Sequence, residues 1–286
     1  MRIERCGSAL RILCPAKVNL FLEVLGKRPD GYHEISTVMQ AVTLYDVLEI
    51  EEAAELSLTV EPPVVGAGEE NLVVRAARLL QERAGRLLGA AIRLKKNIPV
   101  GGGLGGGSSD AAGALRGLCE LWRMNAFLDE VPLIAAAVGS DVSFFLHGGT
   151  ALGTGRGEKV EPLSWNVNVA YVLVCPDIAI STREMYESVN CLTRQVTKNK
   201  IRQSFVGQVE VQDLADGLYN AFEPVAFGRH PVLREIKGAL LDAGALGALL
   251  SGSGSTMFGM CTTRAEAERI ASEMKRFGRA VVVEPE

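Results

Sequence analysis

Residues 17–24, KVNLFLEV, alternate in polarity: Val18, Leu20, Leu22 and Val24 fall on one side, and Lys17, Asn19, Phe21 and Glu23 on the other. A period of two predicts a strand, here with a lysine and an asparagine on its less apolar face. GKRPDGYHE follows, and Pro29-Asp30-Gly31 is turn chemistry. DVLEIEE and LSLTVEP read as two further strands. Over residues 70–89 the period lengthens: Leu72, Ala76, Leu79 and Leu80 recur at helical spacing, with Gly89 available to end the helix. AAIRLKKNIP returns to a strand and runs into NIPVGGGLGGGSSDAAGAL, which packs six glycines into Gly101–Gly107. Beyond the glycines, Ala111, Ala112, Leu115, Leu118, Cys119 and Trp122 mark another helix. Ser108, Ser109 and Asp110 stand where its N-cap residues belong.

A second half starts near Glu161. VNVAYVLVC reads as a strand, TREMYESV as a short helix, and HPVLREIKGALLDAG as a longer one. ALGALLSG and STMFGMC are strands around a second glycine-rich turn; RAEAERIASEMKRFG is a helix and RAVVVEP a closing strand. This order is β-α-β-β-α-β with insertions, the ferredoxin-like arrangement. Residues 193–217 are polar and carry no assignable pattern, and no internal repeat is visible.

The chain has 286 residues, enough for one large domain or two small ones. It is 48% hydrophobic and 22% charged, a globular composition. A net charge of −4 argues against general affinity for nucleic acid or anionic membrane. No apolar run reaches transmembrane length, and Arg2, Glu4, Arg5 and Arg11 interrupt any signal-peptide core. Cys6, Cys14, Cys119, Cys175, Cys191 and Cys261 are scattered without a CxxC pair; several lie in apolar runs, where cysteine acts as a small hydrophobe. A reducing cytoplasmic setting is the expectation.

Four readings compete for the glycine stretch. A linker needs no strand at its entry and no helix at its exit. A Walker loop needs a lysine followed by Ser or Thr, and none follows. Gly101-Gly102-Gly103-Leu104-Gly105-Gly106 matches G-x-G-x-x-G, but no acidic ribose ligand ends a strand about twenty residues on. What remains is a polyphosphate cradle, with backbone N–H groups brought toward one point and a helix N-terminus adding positive charge. On this reading a side chain at Gly106 would stand where the backbone must approach phosphate. Asp141, between Gly139 and Phe144-Phe145, is either a capping residue or an acid-base group.

PAKVNLFLEV, GLGGGSSDAA and SGSGSTMFG resemble, in order, the three motifs of the GHMP kinases, ATP-dependent phosphotransferases acting on small alcohols. KRPDGYHEISTV and GSDVSFFLHGGTALGTGRGE resemble one branch, whose substrate is a cytidine-diphosphate-linked methylerythritol on the methylerythritol phosphate route to isoprenoids. Ser143 and Ser255 stand where prolines are expected, and Gly102-Gly103 enrich the loop; these departures bear on loop stiffness more than on chemistry.

The resemblance implies an α+β, two-domain fold. Residues 1–160 form an ATP-binding domain of the ribosomal-protein-S5-like kind, and residues 161–286 a ferredoxin-like domain. It implies that Asp141 accepts the proton of the attacking hydroxyl, with Lys17 holding it ionised and offsetting phosphoryl charge. ATP falls to Pro99, Val100, Gly101, Gly102, Gly103, Leu104, Gly105, Gly106, Gly107, Ser108 and Ser109. Asn71 is either a further nucleotide contact or a plain N-cap. Tyr32 and Tyr186 would stack on the cytosine, His33 bond its edge, Asn19 the sugar-alcohol hydroxyls, and Gly252, Ser253 and Gly254 supply backbone donors. Magnesium is implied without a firm ligand. Ser108 can serve, but PLIAAAVG lacks an acid, leaving ATP and water as the metal's main partners. His147 and His230 read as structural. The partners are ATP and the alcohol, with no nucleic acid or membrane, in a monomer or weak homodimer. The rival readings are a GHMP kinase for another alcohol, such as mevalonate or homoserine, and an inactive nucleotide-binding module. The presence of both Lys17 and Asp141 speaks against the second.

Overall fold

A computed structural model describes residues 1–124, 129–164, 167–189, 205 and 209–286. Cys191 and most of the 193–217 stretch lie outside the described residues. Two compact units emerge, neither of them one continuous stretch of chain. The first comprises Met1–Ala16, Leu44–Val100 and Gly105–Gly148; the second comprises Lys17–Thr43, Gly101–Leu104 and Gly149–Glu286. Two long strands, β2 (Ala9–Lys27) and β3 (His33–Glu52), contribute residues to both.

In the first unit the strands follow the order β1 (Arg2–Cys6), β2, β3, β5 (Ala90–Lys95), β4 (Leu56–Glu61). Four helices complete it: α1 (Leu72–Ala84), α2 (Gly106–Leu121), α3 (Val131–Val138) and α4 (Ser140–His147). Two glycines of α2 let it lie close on the sheet. A side chain at Gly113 would run into Cys14 and Leu48, and one at Gly117 into Ile12 and Ile50. Cys14, Cys119 and Cys261 are buried among apolar residues, and burial pushes their thiols above the ordinary value.

Two helix boundaries differ from the sequence expectation. α1 stops at Gly85, not Gly89, because Gly85 takes the left-handed conformation (φ +62°) and its N–H reaches back to the carbonyls of Gln81 and Glu82. Gly89 is needed for another reason: a Cβ there would strike the backbone of Ala53 and Ala54. α2 begins inside the glycine run, with Gly105 (φ +72°) as its N-cap and no side-chain cap. Ser108, Ser109 and Asp110 therefore lie inside the helix and do not cap it.

In the second unit, β9 (Tyr219–Asn220) joins β2 in parallel, β6 (Thr150–Gly155) pairs antiparallel with β3, and β7 (Lys159–Leu163) with β6. A separate antiparallel sheet has the order β10 (Gly247–Leu250), β11 (Met257–Cys261), β8 (Ala170–Cys175), β12 (Arg279–Val283). Helices α5 (Thr182–Ser188), α6 (Val211–Gly217), α7 (Glu223–Arg229), α8 (Pro231–Asp242) and α9 (Arg264–Met274) accompany it. Apart from the inserted α5, α6, α7 and β9, the succession is the β-α-β-β-α-β read from the sequence. Val172, Val174, Leu233, Ile236, Leu250, Met257 and Ile270 form its core. Among the described residues, no helix is long and apolar enough to cross a membrane.

Candidate active site

The polar face of β2 is not solvent-exposed: every residue from Cys14 to Val24 is buried. A buried ammonium must find oxygen partners, and Lys17 donates to Asn19 Oδ1 at 2.5 Å and to the Gly103 carbonyl at 2.7 Å. Asn19 is held in turn, its Nδ2 donating to Thr37 Oγ1 at 2.8 Å while Thr37 donates to the Phe21 carbonyl at 2.7 Å. Gly252 (φ +54°) completes the group. A Cβ on it would stand 3.2 Å from Lys17 Nζ and 3.3 Å from Asn19 Oδ1, so its backbone lies directly on the amine. The second unit thus gathers Lys17, Asn19, Gly103 and Gly252, which the sequence scatters over three motifs. Asn220 fastens the turn by donating to the carbonyls of Leu250 and Gly252, both at 2.7 Å.

The other residues of that turn are already engaged. The Gly254 N–H bonds the Ser251 carbonyl at 2.9 Å, which corrects the expectation of a backbone donor open to substrate there. Ser253 Oγ lies 2.8 Å from Thr182 Oγ1. Gly103 (φ +76°) is required twice over, by its conformation and because a side chain would collide with the Ser251 carbonyl. Leu104 buries its side chain and offers its carbonyl to the Lys17 N–H at 3.0 Å.

The Pro29-Asp30-Gly31 turn forms as expected, with Asp30 Oδ1 accepting from the Tyr32 N–H at 3.1 Å. Tyr32 is 54% exposed, with the Arg156 guanidinium over its ring at 4.6 Å from the centroid. His33 and Tyr186 stack on each other, centroids 5.1 Å apart and planes 26° apart, and Tyr186 meets Phe222 edge-on. Burial, helped by Lys27, pushes the His33 imidazole below its ordinary value, so it is neutral at pH 7.

In the first unit Asp141 occupies the first turn of α4, where the helix dipole favours a carboxylate. Ser108 Oγ points toward Gly139, the residue that opens this helix. Ser109 is fully buried on the core side of α2, and its hydroxyl has no hydrogen-bond partner within the protein. Val100, Gly101 and Gly107 are exposed, whereas Gly102 is buried and its carbonyl accepts the Thr256 N–H at 3.2 Å. Asn71 is the N-cap of α1, its Oδ1 accepting from the Val73 N–H at 3.0 Å and its Nδ2 donating to the Gly66 carbonyl at 2.6 Å. A side chain at Gly106 would meet Ile98, Asp46 and Lys96 at 3.1–3.2 Å.

Those last residues form a buried cluster that sequence reasoning missed. Asp46, 0% exposed, accepts the backbone N–H groups of Asn97 (2.5 Å) and Ile98 (2.8 Å) on Oδ1 and pairs with Lys96 through Oδ2. Lys96 also donates to Asp110 Oδ2 at 2.8 Å. Burial pushes the Asp110 carboxyl up to about 7, with Asp46 adding to the rise against the pull of Lys96. Burial alone would lower the Lys96 ammonium, but the two carboxylates more than reverse it. Among the described residues, no three His, Cys, Asp or Glu side chains gather as a metal site.

Comparison with known proteins gives this geometry a context. A family model described as the N-terminal domain of GHMP kinases matches residues 71–149, and one for the GHMP kinase C-terminal region matches 209–280. A Pelotomaculum thermopropionicum protein named 4-diphosphocytidyl-2-C-methyl-D-erythritol kinase is 44% identical over 274 residues, covering 95% of this chain and 96% of that one. The chain belongs to the GHMP kinase family. It is an ATP-dependent kinase of α+β architecture. A crystal structure titled 4-(cytidine 5'-diphospho)-2C-methyl-D-erythritol kinase superposes on it with a TM-score of 0.78 at 36% identity, covering 96% of this chain and 99% of that one. The fold extends further, to a homoserine kinase from Cytophaga hutchinsonii with a TM-score of 0.76 at 20% identity, covering 99% of this chain and 96% of the other.

Several residues of the kinase that shape these groups left no signal in the pattern. Thr37, Asn220 and Arg156 are single polar residues in strands or turns, and only chain crossings bring them beside Asn19, Gly252 and Tyr32. Asp46 had a faint signal, an acid between the apolar pairs Leu44-Tyr45 and Val47-Leu48.

Proposed function

We propose that this kinase transfers the γ-phosphoryl group of ATP to the 2-hydroxyl of 4-diphosphocytidyl-2-C-methyl-D-erythritol, on the methylerythritol phosphate route to isoprenoids. The observation that carries the substrate is the aromatic group of the second unit: an exposed Tyr32 beside a neutral His33 stacked on Tyr186. Tyr32 offers a ring face to a base while Arg156 backs the other, and a neutral imidazole brings one donor and one acceptor to a cytosine edge. The likeness to kinases named for this substrate, over nearly the whole chain, supports the same reading.

The division of labour follows from the chemistry of phosphoryl transfer, which asks for positioning and charge compensation. Asp141 takes the proton of the attacking hydroxyl. The Lys17 ammonium, held by Asn19 and the Gly103 carbonyl, offsets charge on the transferring group. The exposed amides of the glycine loop and the N-terminus of α2 hold the ATP phosphates. The donor set suits magnesium carried by ATP and water, with the Ser108 hydroxyl as its protein partner. Bound there, the metal would neutralise charge on the phosphate oxygens.

ADP release, measured with the cytidine-diphosphate alcohol, free methylerythritol, mevalonate and homoserine, tests the assignment. Only the first should turn over efficiently. Tyr32→Ala should lower kcat/KM for it by about ten- to a hundred-fold, the worth of one aromatic–base stack, and leave the KM for ATP unchanged. Equal wild-type activity with and without the cytidine group would refute the substrate and leave the kinase.

A further inference from the structure

We infer that Lys96 is a positioning residue for ATP: its ammonium clamps together the two chain segments that bracket the glycine loop. On the entry side, Asp46 receives the N–H groups of Asn97 and Ile98, the residues that lead into Pro99 and the glycines. On the exit side, Asp110 sits just past the first turn of α2, four residues beyond its first helical position. Lys96 pairs with both carboxylates, and all three side chains are buried.

A cluster of this kind is a poor device for stability. Burying an ion pair costs desolvation that an apolar trio of similar size avoids. Two carboxylates share one ammonium, and Asp110 Oδ1 is left buried with no hydrogen bond. What the arrangement supplies is geometry. A charged bond to each side fixes the spacing between the strand end and the helix start, and so the direction in which the loop presents its N–H groups. The absence of a side chain at Gly106 makes room for it, since a Cβ there would press on Asp46 Oδ2 and Lys96 Nζ at 3.2 Å. Without Lys96, the charged link between the strand end and the helix start is lost.

The inference rests on the glycine loop as the phosphate cradle, and its test separates the two. Lys96→Met and Lys96→Arg are compared with wild type for kcat, both KM values, ADP affinity by calorimetry without the alcohol, and thermal unfolding. Misplacement of a cradle by a fraction of an ångström to an ångström costs on the order of ten- to a hundred-fold. Lys96→Met should therefore raise the KM for ATP and the Kd for ADP by that factor, leave the KM for the alcohol within about twofold, and be partly rescued in Lys96→Arg. A folded Lys96→Met protein with wild-type ATP and ADP values overturns the inference, as does an equal rise in both KM values. Should Lys96→Met fail to fold, Asp110→Asn is read in the same way, and a wild-type KM for ATP in that variant overturns it. Gly105→Val serves as the control: no change in its ATP affinity removes the cradle itself, whereas a change there with none at Lys96 removes only the clamp.

Discussion

Lys17 and Asp141 have different surroundings, and the difference bears on the roles proposed for them. The Lys17 amine is buried and held by an amide oxygen and a backbone carbonyl, so it is fixed in place. Asp141 stands in the first turn of a short helix, at the positive end of its dipole. Asp141→Asn keeps the shape and removes the basicity. It should lower kcat by about 10²–10⁴ while ADP affinity stays near wild type. Steady-state kinetics with calorimetry checks this, and a kcat near wild type would remove Asp141 from the mechanism. Both residues were legible in the sequence because they sit inside dense motifs. The partners that fix Lys17 were not, since Gly103 is 86 positions away along the chain.

At the scale of the element, the glycine loop shows that glycines in one run answer different demands. Gly101 (φ +70°) has open space where a side chain would project, so Gly101→Ala pays only for a left-handed backbone, about 1–2 kcal/mol. Gly103 (φ +76°) carries the same conformational cost and also abuts the Ser251 carbonyl. Gly103→Ala should therefore destabilise by clearly more than Gly101→Ala. It should also lower kcat, because the carbonyl that holds Lys17 must move. Denaturant unfolding of the two variants side by side decides it, and equal losses would show that the close approach to Ser251 carries no weight. The run of glycines is plain in the sequence. Which of them meets backbone from another segment depends on a turn about 150 residues downstream.

For the whole molecule, the buried cluster of Asp46, Lys96 and Asp110 couples stability to pH. Asp110 ionises near 3.8 in the unfolded chain and near 7 in the folded one. Between these values the folded state holds a proton that the unfolded state has lost, so this group's contribution falls as pH rises through the window and is flat above it. Asparagine does not titrate. The melting temperature of Asp110→Asn minus that of wild type should therefore grow more positive from about pH 4 to about pH 7 and then level off. Melting curves across that range test it, and a difference independent of pH would show that Asp110 stays ionised in the fold.

The sequence by itself determined the succession of strands and helices, the β-α-β-β-α-β order of the second half, the turn at Pro29-Asp30-Gly31, and the kinase family. Periodicity, turn chemistry and motifs are local, and local preference here agrees with the final fold. Tertiary structure decided which polar residues are buried. The alternation of β2 put Lys17 and Asn19 on its less apolar face, yet both are buried in the fold as members of a fixed hydrogen-bonded group. It also decided that Ser109 and Asp110 face inward and leave the cap of α2 to Gly105, and that α1 ends at Gly85. Each of these outcomes depends on what a residue meets from a distant part of the chain, and burial makes such meetings expensive unless charge and hydrogen bonds are satisfied.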